Sequence, residues 1–490
     1  MSTANSATPA AITPYKALIA GRWIAGSGTL DVVNPATQAV FATVPDCTPD
    51  DARRAHDAAV EAFATWRRQT CFARSALLKA WHKAILADQE RIARALSSEM
   101  GKPIAEARGE IAYAAAYVES FAEEATRIYG ETFPVPGANK RAFASREPVG
   151  PVYAVTPWNF PAAMITRKVA PALAAGCTII VKPAKQSPLT ALILAELWEK
   201  VGGPAGTFQV ITASNASRVS EVMFQSPAIR KLTFTGSTEI GRQLYQQAAA
   251  TIKKVSLELG GHAPFLIFAD ADIDLAVKEV MACKFRNAGQ TCVCTNRIYV
   301  QESIADAFAS KLAAAVTALK VGNPADDATQ IGPLVDAAAL RKVSRHVDNA
   351  VQLGATVLTG GKALDGLYYA PTVLANVKPG MELMEEETFG PVAPLLTFKS
   401  EAEAIQAAND TPYGLAAYLY TNDLSRAIRV SEALEYGIVG VNDGATATAQ
   451  APFGGIKDSG IGREGGPWGL AEFLEVKYVS IAIKADCQPH

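Results

Sequence analysis

Between Arg146 and about Gly261, short apolar runs alternate with amphipathic stretches, the pattern of parallel strands joined by crossover helices. Residues 151–156 (PVYAVT) predict a strand, 165–175 a helix and 178–181 a second strand. Ser187 is placed to cap a further helix with Pro188 at its first position. Leu192, Ala195 and Leu197 form its apolar stripe, and Gly202 with Gly203 ends it. FQVI from Phe208 and KLTFTG running into Gly236 add two strands. The pattern predicts an α/β doubly wound sheet able to hold a dinucleotide at its carboxyl edge.

Residues 48–129 are rich in Ala, Glu and Arg and predict helices that pack on a sheet and carry no chemistry. After Gly261 the alternation resumes with PFLIF, a helix over 272–283, RIYV, a helix from Ser303 and strands near Thr356 and Leu395. A second α/β domain follows from this, with no internal repeat or low-complexity linker between the two. A length of 490 residues accommodates about three domains. With 49% hydrophobic and 19% charged residues the chain is of the globular class. Its 46 basic and 48 acidic residues nearly cancel, which removes a general attraction to phosphate backbones or anionic lipid. Nucleic acid and membrane are therefore not expected as partners. The weakly polar run 169–181 is too short to span a bilayer and contains Pro171 and Gly176. The opening MSTANSATPAAITP has no basic and apolar signal regions, so it is expected to be a polar tail and the protein cytoplasmic. Seven scattered cysteines suggest neither a disulfide framework nor a metal site.

The densest chemical signal is FRNAGQTCVCTNR over 285–297, where small and polar residues surround Cys292 between a helix and a strand. A lone cysteine is more often a buried structural residue. As a nucleophile it needs a lowered pKa, an oxyanion donor and a base. Asn159 in PWNFP and Glu258 in LELGG are the candidates for the last two. The chain lacks G-x-G-x-x-G after a strand and the Walker lysine after Gly241, which disfavours a nucleotide phosphatase.

PWNFP at 157–161, FTGS with Gly236 and Gly241, ELGG at 258–261, GQTC at 289–292, EETFGP at 386–391 and PFGG at 452–455 occur in an order that resembles the aldehyde dehydrogenase superfamily. The resemblance covers about 15–483. It implies that Cys292 attacks an aldehyde carbonyl and that the Asn159 amide and the Cys292 backbone N–H hold the oxyanion. Hydride then leaves for a nicotinamide, and Glu258 activates water against the thioester. Lys168 and Glu464 match positions for a proton relay, although each could be a surface ion pair. For the cofactor, the resemblance puts Lys182, Pro183, Ala184 and Lys185 (KPAK) at the adenosine ribose, and Gly236, Ser237 and Gly241 at the pyrophosphate. Glu387 is assigned to the nicotinamide ribose, with Trp158, Leu259 and Phe389 lining the cleft. Lys185 replaces a glutamate common in NAD-preferring relatives, so NADP is expected to be preferred with NAD still usable.

Residues 163–177 and 284–294 resemble succinate-semialdehyde dehydrogenases, which implies that Arg167 and Arg286 bind a substrate carboxylate. Where those enzymes carry a serine before PFGG this chain has Ala447, and Thr448 is the substitute hydroxyl donor. Cys294 is implied as the partner of Cys292 in a reversible bridge. Glutarate semialdehyde and sulfolactaldehyde are alternative substrates. A catalytically silent family member and a thiol-redox protein without nicotinamide are the rivals outside the enzyme class. The implied domains are a cofactor-binding domain (15–130 and 147–260, with 446–475 returning to it), a catalytic domain (261–445) and an oligomerisation flap (131–146 and 476–490). The flap implies a homodimer or homotetramer.

Overall fold

The computed structural model describes residues 13–484. Five short apolar segments form the parallel centre of an eight-stranded sheet, in the spatial order Phe208–Val210, Ile179–Lys182, Val152–Val155, Lys231–Thr235, Lys254–Glu258. In chain sequence that order is third, second, first, fourth, fifth. The winding therefore reverses between Val152–Val155 and Lys231–Thr235, which opens a crevice at their carboxyl ends. Residues of Ile179–Lys182 are buried on both faces, as a β-branched run (IIVK) in a covered parallel sheet must be. Antiparallel strands close the sheet, Gly460–Ile461 at one edge and Ala17–Ile19 with Arg22–Ile24 at the other.

Ala163–Ala175 is buried along all 13 residues. It ends at Gly176, whose φ of 96° is a left-handed cap open to glycine. Four helices, Pro49–Trp66, Cys71–Ala87, Gln89–Met100 and Ile104–Glu124, lie N-terminal to the five central strands. Trp66 and Trp81 meet Trp198 of helix Leu189–Lys200 edge-on, with centroids 6.1 and 5.7 Å apart, the arrangement ring quadrupoles favour.

The expected cap of Leu189–Lys200 is corrected. Ser187 Oγ is buried without a hydrogen-bond partner. The Glu99 carboxylate, from a different helix, accepts from the Leu189 and Thr190 N–H groups at 2.7 and 3.1 Å, and from the Thr190 hydroxyl. Glu99 satisfies two of the free N–H groups of the helix end at once, while burial raises its pKa to about 8.

The second sheet has seven strands and begins at Ala263–Ile267, five residues after Glu258 ends the first. It is parallel except for Thr356–Thr359. Thr295–Gln301 pairs with Ala263–Ile267, so the Cys292 loop lies at the amino edge of this sheet, against the carboxyl edge of the first. Lys140–Pro148 and Leu474–Ala482 pair antiparallel over their whole length and, with Glu131–Thr132, form a separate three-stranded sheet. Tyr478 and Val476 on it are more than half exposed. A further small sheet joins Thr13–Pro14, Val40–Pro45 and Thr29–Val33. Among the described residues no helix is long and apolar enough to cross a membrane. Most of the stretch read as a polar tail, and the end of the expected flap beyond 484, lie outside the described residues.

Glu99→Ala strands two buried N–H groups and is expected to cost about 1–3 kcal/mol, seen as a lower urea midpoint. Ser187→Ala removes no bond and is expected to leave that midpoint unchanged.

Candidate active site

The crevice at the sheet reversal is a cavity of about 270 Å³. Pro157–Asn159 follows one strand and Gly236–Ser237 another, and both line it. Leu259 and Gly260 come from the end of a third strand, Cys292 from the second sheet, and Lys342, Glu387 and Phe389 from beyond it. Trp158 and Phe389 meet edge-on at 5.6 Å. Phe389 adopts a φ of 53°, a left-handed backbone that a bulky residue keeps only where its surroundings enforce it.

The loop that carries Cys292 is strained in the same way. Asn287, Ala288 and Gly289 have successive φ values of 52°, 54° and 74°, and only the last is free of a Cβ penalty. A Cβ on Gly289 would sit 2.1 Å from the Gly390 carbonyl oxygen, so the loop presses backbone to backbone on the EETFGP segment. Hydrogen bonds hold it in place. Asn287 Nδ2 donates to the carbonyls of Asn159 (3.1 Å) and Gln290 (3.2 Å), and Gln290 Oε1 accepts from Val335 N–H at 3.0 Å. Asn159 Nδ2 donates to the Gln290 carbonyl at 3.0 Å. An amide has two N–H groups, which leaves one for the cavity that Asn159 lines.

The expectation of a low-pKa thiol at Cys292 is corrected. Burial pushes it up to about 12, Glu387 and Glu258 add to the rise, and only Arg167 opposes it. Glu258 is buried, with both carboxylate oxygens unpartnered. Burial, reinforced by the negative charge of Glu464, holds its pKa well above the ordinary carboxylate range. Burial also acts on Glu464, but Lys168 and Arg167 outweigh it and keep that carboxyl ionised. Lys168 Nζ donates to Glu464 and to Thr235 Oγ1 at 2.6 Å. Arg167 lies 2.7 Å from Glu464 without hydrogen-bond alignment, and its Nε and Nη2 have no hydrogen-bond partner. Its guanidinium faces the Phe453 ring at 3.9 Å. The residues singled out as base, relay and one of the two arginines thus form one buried, charge-coupled cluster.

On the nucleotide side, Ser237 caps the 12-residue helix Thr238–Ala249, accepting from Ile240 N–H at 3.5 Å. The N–H groups of that helix end point toward the crevice edge, where an anion is favoured. Gly241 has no side chain because Leu259 Cδ2 lies 2.3 Å from where its Cβ would be. Lys182 is buried at a strand end and donates to the Pro183 carbonyl at 2.9 Å. Burial, with the charge of Lys185 added, lowers its pKa to about 8. Lys185 is exposed and Ala184 partly so, and among the described residues no carboxylate pairs with either lysine. Glu387 accepts from Gly261 N–H at 3.5 Å, and burial raises its pKa to about 8. This set, a helix N-terminus, two unpaired cations and a carboxylate beside a crevice, fits a phosphate-bearing dinucleotide.

A second cavity of about 310 Å³ adjoins Phe160, the residue after Asn159. Arg286 lines it with its guanidinium over the Phe160 ring at 5.2 Å, and no ion pair engages that guanidinium among the described residues. The role given to Thr448 is corrected. Its side chain is exposed and donates to Gln450 Oε1 at 2.7 Å, and Ala447 lines the cavity instead. Cys294 is fully buried outside both cavities. Its thiol contacts Lys284 Nζ (3.6 Å) and donates to the Gly289 carbonyl (3.3 Å), so a bridge to Cys292 would require breaking both contacts. Both cysteines are free thiols.

Sequence reasoning missed Lys102, Glu106, Glu110 and Tyr113 in the wall of the second cavity. They come from the helical region given no chemistry, and the charged residues in a GKPIAEARGE run otherwise suited to a buried helix were the available signal. It also missed Lys342 in the first cavity.

Gly289→Ala is expected to displace the nucleophile loop and lower kcat/KM by about 10²-fold, the penalty of a misplacement near 1 Å. Thr448→Ala is expected to leave KM for the aldehyde unchanged. Steady-state assays of both variants check this.

The sequence profile of the aldehyde dehydrogenase family matches residues 23–479. The chain is 53% identical over 470 residues to a glutarate-semialdehyde dehydrogenase of Pseudomonas putida KT2440, covering 96% of this chain and 98% of the relative. It is 52% identical over 472 residues to the NADP(+) succinate-semialdehyde dehydrogenase GabD of Escherichia coli K12, covering 96% and 98%. The crystal structure of an aldehyde dehydrogenase from Brucella melitensis biovar abortus 2308 superimposes with a TM-score of 0.95 at 52% identity, over 96% of this chain and 98% of that one. By sequence, fold and the geometry of its two cavities, the chain belongs to the aldehyde dehydrogenase family and is an NAD(P)-dependent aldehyde dehydrogenase.

Proposed function

We propose that the enzyme oxidises succinate semialdehyde to succinate and prefers NADP+ to NAD+. The observation that carries the substrate class is Arg286, which lines the second cavity with no ion pair on its guanidinium among the described residues. A carboxylate on the substrate's far end pairs with it, with Arg167, already ion-paired to Glu464 at 2.7 Å, as the second cation.

In this reading Cys292 Sγ bonds to the aldehyde carbon. Its proton passes to Glu258, whose raised pKa makes it a stronger base than a solvated carboxylate. The carbonyl oxygen becomes an oxyanion held by Asn159 Nδ2 and the Cys292 N–H. The nicotinamide, when bound, supplies the hydride acceptor that converts the thiohemiacetal to a thioester. Ser237 and the helix it caps hold the pyrophosphate, and Glu387 the adjoining ribose. Lys168 and Glu464 carry the thiol proton away from Glu258, which then takes a proton from water as the water oxygen attacks the thioester carbon. The C–S bond breaks, the acid leaves and Cys292 regains a proton.

Lys182 and Lys185 support the cofactor preference. Two cations without carboxylate partners at the end of Ile179–Lys182 suit an adenosine 2′-phosphate, where a glutamate would repel it. The sheet of Lys140–Pro148 and Leu474–Ala482, with its exposed Val476 and Tyr478, is read as the oligomerisation flap of a homodimer or homotetramer, the cofactor and catalytic regions being divided as the resemblance implies. Glutarate semialdehyde is the alternative substrate. One methylene is worth only about 1–3 kcal/mol of discrimination in a pocket, so the same two arginines serve either tail.

Turnover of succinate, glutarate and neutral aldehydes with each cofactor tests the reading. Arg286→Ala is expected to weaken kcat/KM for succinate semialdehyde by about 2–5 kcal/mol and that for a neutral aldehyde of equal length far less. Equal losses on both substrates would remove the anion-binding role. Lys185→Glu is expected to shift the kcat/KM ratio toward NAD+. An unchanged ratio would place 2′-phosphate recognition elsewhere.

A further inference from the structure

Lys102 and Glu110 are charged residues buried to about 99%, on the N-terminal side of the two elements that carry the chemistry. Lys102 Nζ donates to Glu110 Oε2 and to the Asn159 carbonyl at 2.8 Å, and sits 3.5 Å from the centroid of the Phe160 ring. Two of the three N–H groups of the ammonium are spent on Glu110 and the Asn159 carbonyl, and the Phe160 ring covers the same group. Lys102 borders the second cavity, but both of its hydrogen bonds go to protein groups.

Its contacts instead converge on the peptide between Asn159 and Phe160. The Asn159 carbonyl receives both Lys102 and Asn287 Nδ2, which fills both of its lone pairs. Glu110 braces the same segment from the far side. Its Oε1 accepts from Ala162 N–H at 2.9 Å and Ala163 N–H at 3.3 Å. The helix that starts there, Ala163–Ala175, has no side-chain cap of its own and carries Arg167 and Lys168. One buried ion pair therefore ties the loop bearing the Asn159 amide to the helix bearing the cationic groups. Burying two full charges is costly unless the geometry is well satisfied, and here the pair spends its hydrogen bonds on each other and on this one segment.

We propose that Lys102, held by Glu110, is a positioning residue for the reaction. It fixes the peptide of Asn159 and so keeps the Asn159 amide aimed as the oxyanion donor. The inference rests on the reading of Asn159 as that donor.

The test is a double-mutant cycle on the full-length enzyme. Single-turnover formation of reduced cofactor is measured for the parent, Lys102→Met, Asn159→Ala and the double variant, with NADP+ binding and thermal unfolding recorded for each. Asn159→Ala is expected to slow the burst by about 10²–10³-fold, and Lys102→Met by up to about 10²-fold through misplacement of the amide. Because Lys102 acts through Asn159, the double variant is expected to match Asn159→Ala within about twofold. A structural role independent of the amide would instead multiply the two losses, and that result, or a parental rate in Lys102→Met, overturns the proposal. A parental rate in Asn159→Ala overturns the oxyanion assignment itself, and positioning with it. Should Lys102→Met fail to bind NADP+, Glu110→Gln replaces it in the cycle. Its amide oxygen still caps Ala162 and Ala163 while its neutral side chain loosens Lys102. A loss confined to the Asn159-containing background supports positioning. An equal loss in both backgrounds, or none, overturns it.

Discussion

The contact between the carboxyl edge of the eight-stranded sheet and the amino edge of the seven-stranded one is the constraint on which the rest of the site depends. Glu258 ends a strand of the first and Cys292 precedes a strand of the second, so base and nucleophile meet only if the two edges touch. They touch through Asn159, whose Nδ2 donates to the Gln290 carbonyl and whose own carbonyl accepts from Asn287 Nδ2. Within the amino edge of the second sheet the backbones press on one another: a Cβ on Gly261 would lie 2.6 Å from the Cys292 carbonyl oxygen, and one on Gly289 2.1 Å from that of Gly390. Close backbone approach is what glycine permits. The left-handed Asn287, Ala288 and Phe389 are the local cost of holding the edges in register, each of the order of 1–3 kcal/mol.

Charge burial follows from the same closure. Once the edges meet, Lys102, Arg167, Lys168, Glu110, Glu258 and Glu464 are all shut away from water, where an unpaired charge is heavily penalised. Most of them escape by pairing: Lys102 with Glu110, and Lys168 and Arg167 with Glu464. Glu258 alone has no partner on either oxygen. Its only recourse is a raised pKa, and a carboxyl that holds a proton readily is what a base in this position requires.

Much of this was legible in the chain itself. The strand and helix alternation over 146–261 yields the doubly wound order because period-two and period-3.6 patterns are written in local sequence, and Gly176 and Gly202 mark their helix ends directly. The cap of Leu189–Lys200 was not legible, since Glu99 reaches it from about 90 residues away and nothing local distinguishes Ser187 from a working cap. Thr448 failed for a similar reason: adjacency to a motif does not fix which way a loop side chain turns. Lys102 and Glu110 went unassigned because helix periodicity reports burial and is silent on what a buried charge touches. The Cys292 thiol was misjudged because motif chemistry suggests activation, whereas the shift depends on the three-dimensional sum of burial, Glu387, Glu258 and Arg167.

That last point bears on how the nucleophile works. A thiol pushed up to about 12 is almost wholly protonated at neutral pH, and protonated thiols are poor targets for oxidants. Nucleophilicity, however, rises with thiol basicity, so the small thiolate fraction is intrinsically more reactive than that of a low-pKa cysteine. A thiol of this kind attacks usefully only if its proton has somewhere to go at the moment of attack. Glu258, buried beside it with its own pKa raised, narrows the gap between donor and acceptor. The closing of the two sheets thus raises both affinities together, keeping the sulfur quiet at rest and coupling its activation to proton transfer when an aldehyde carbon is in reach.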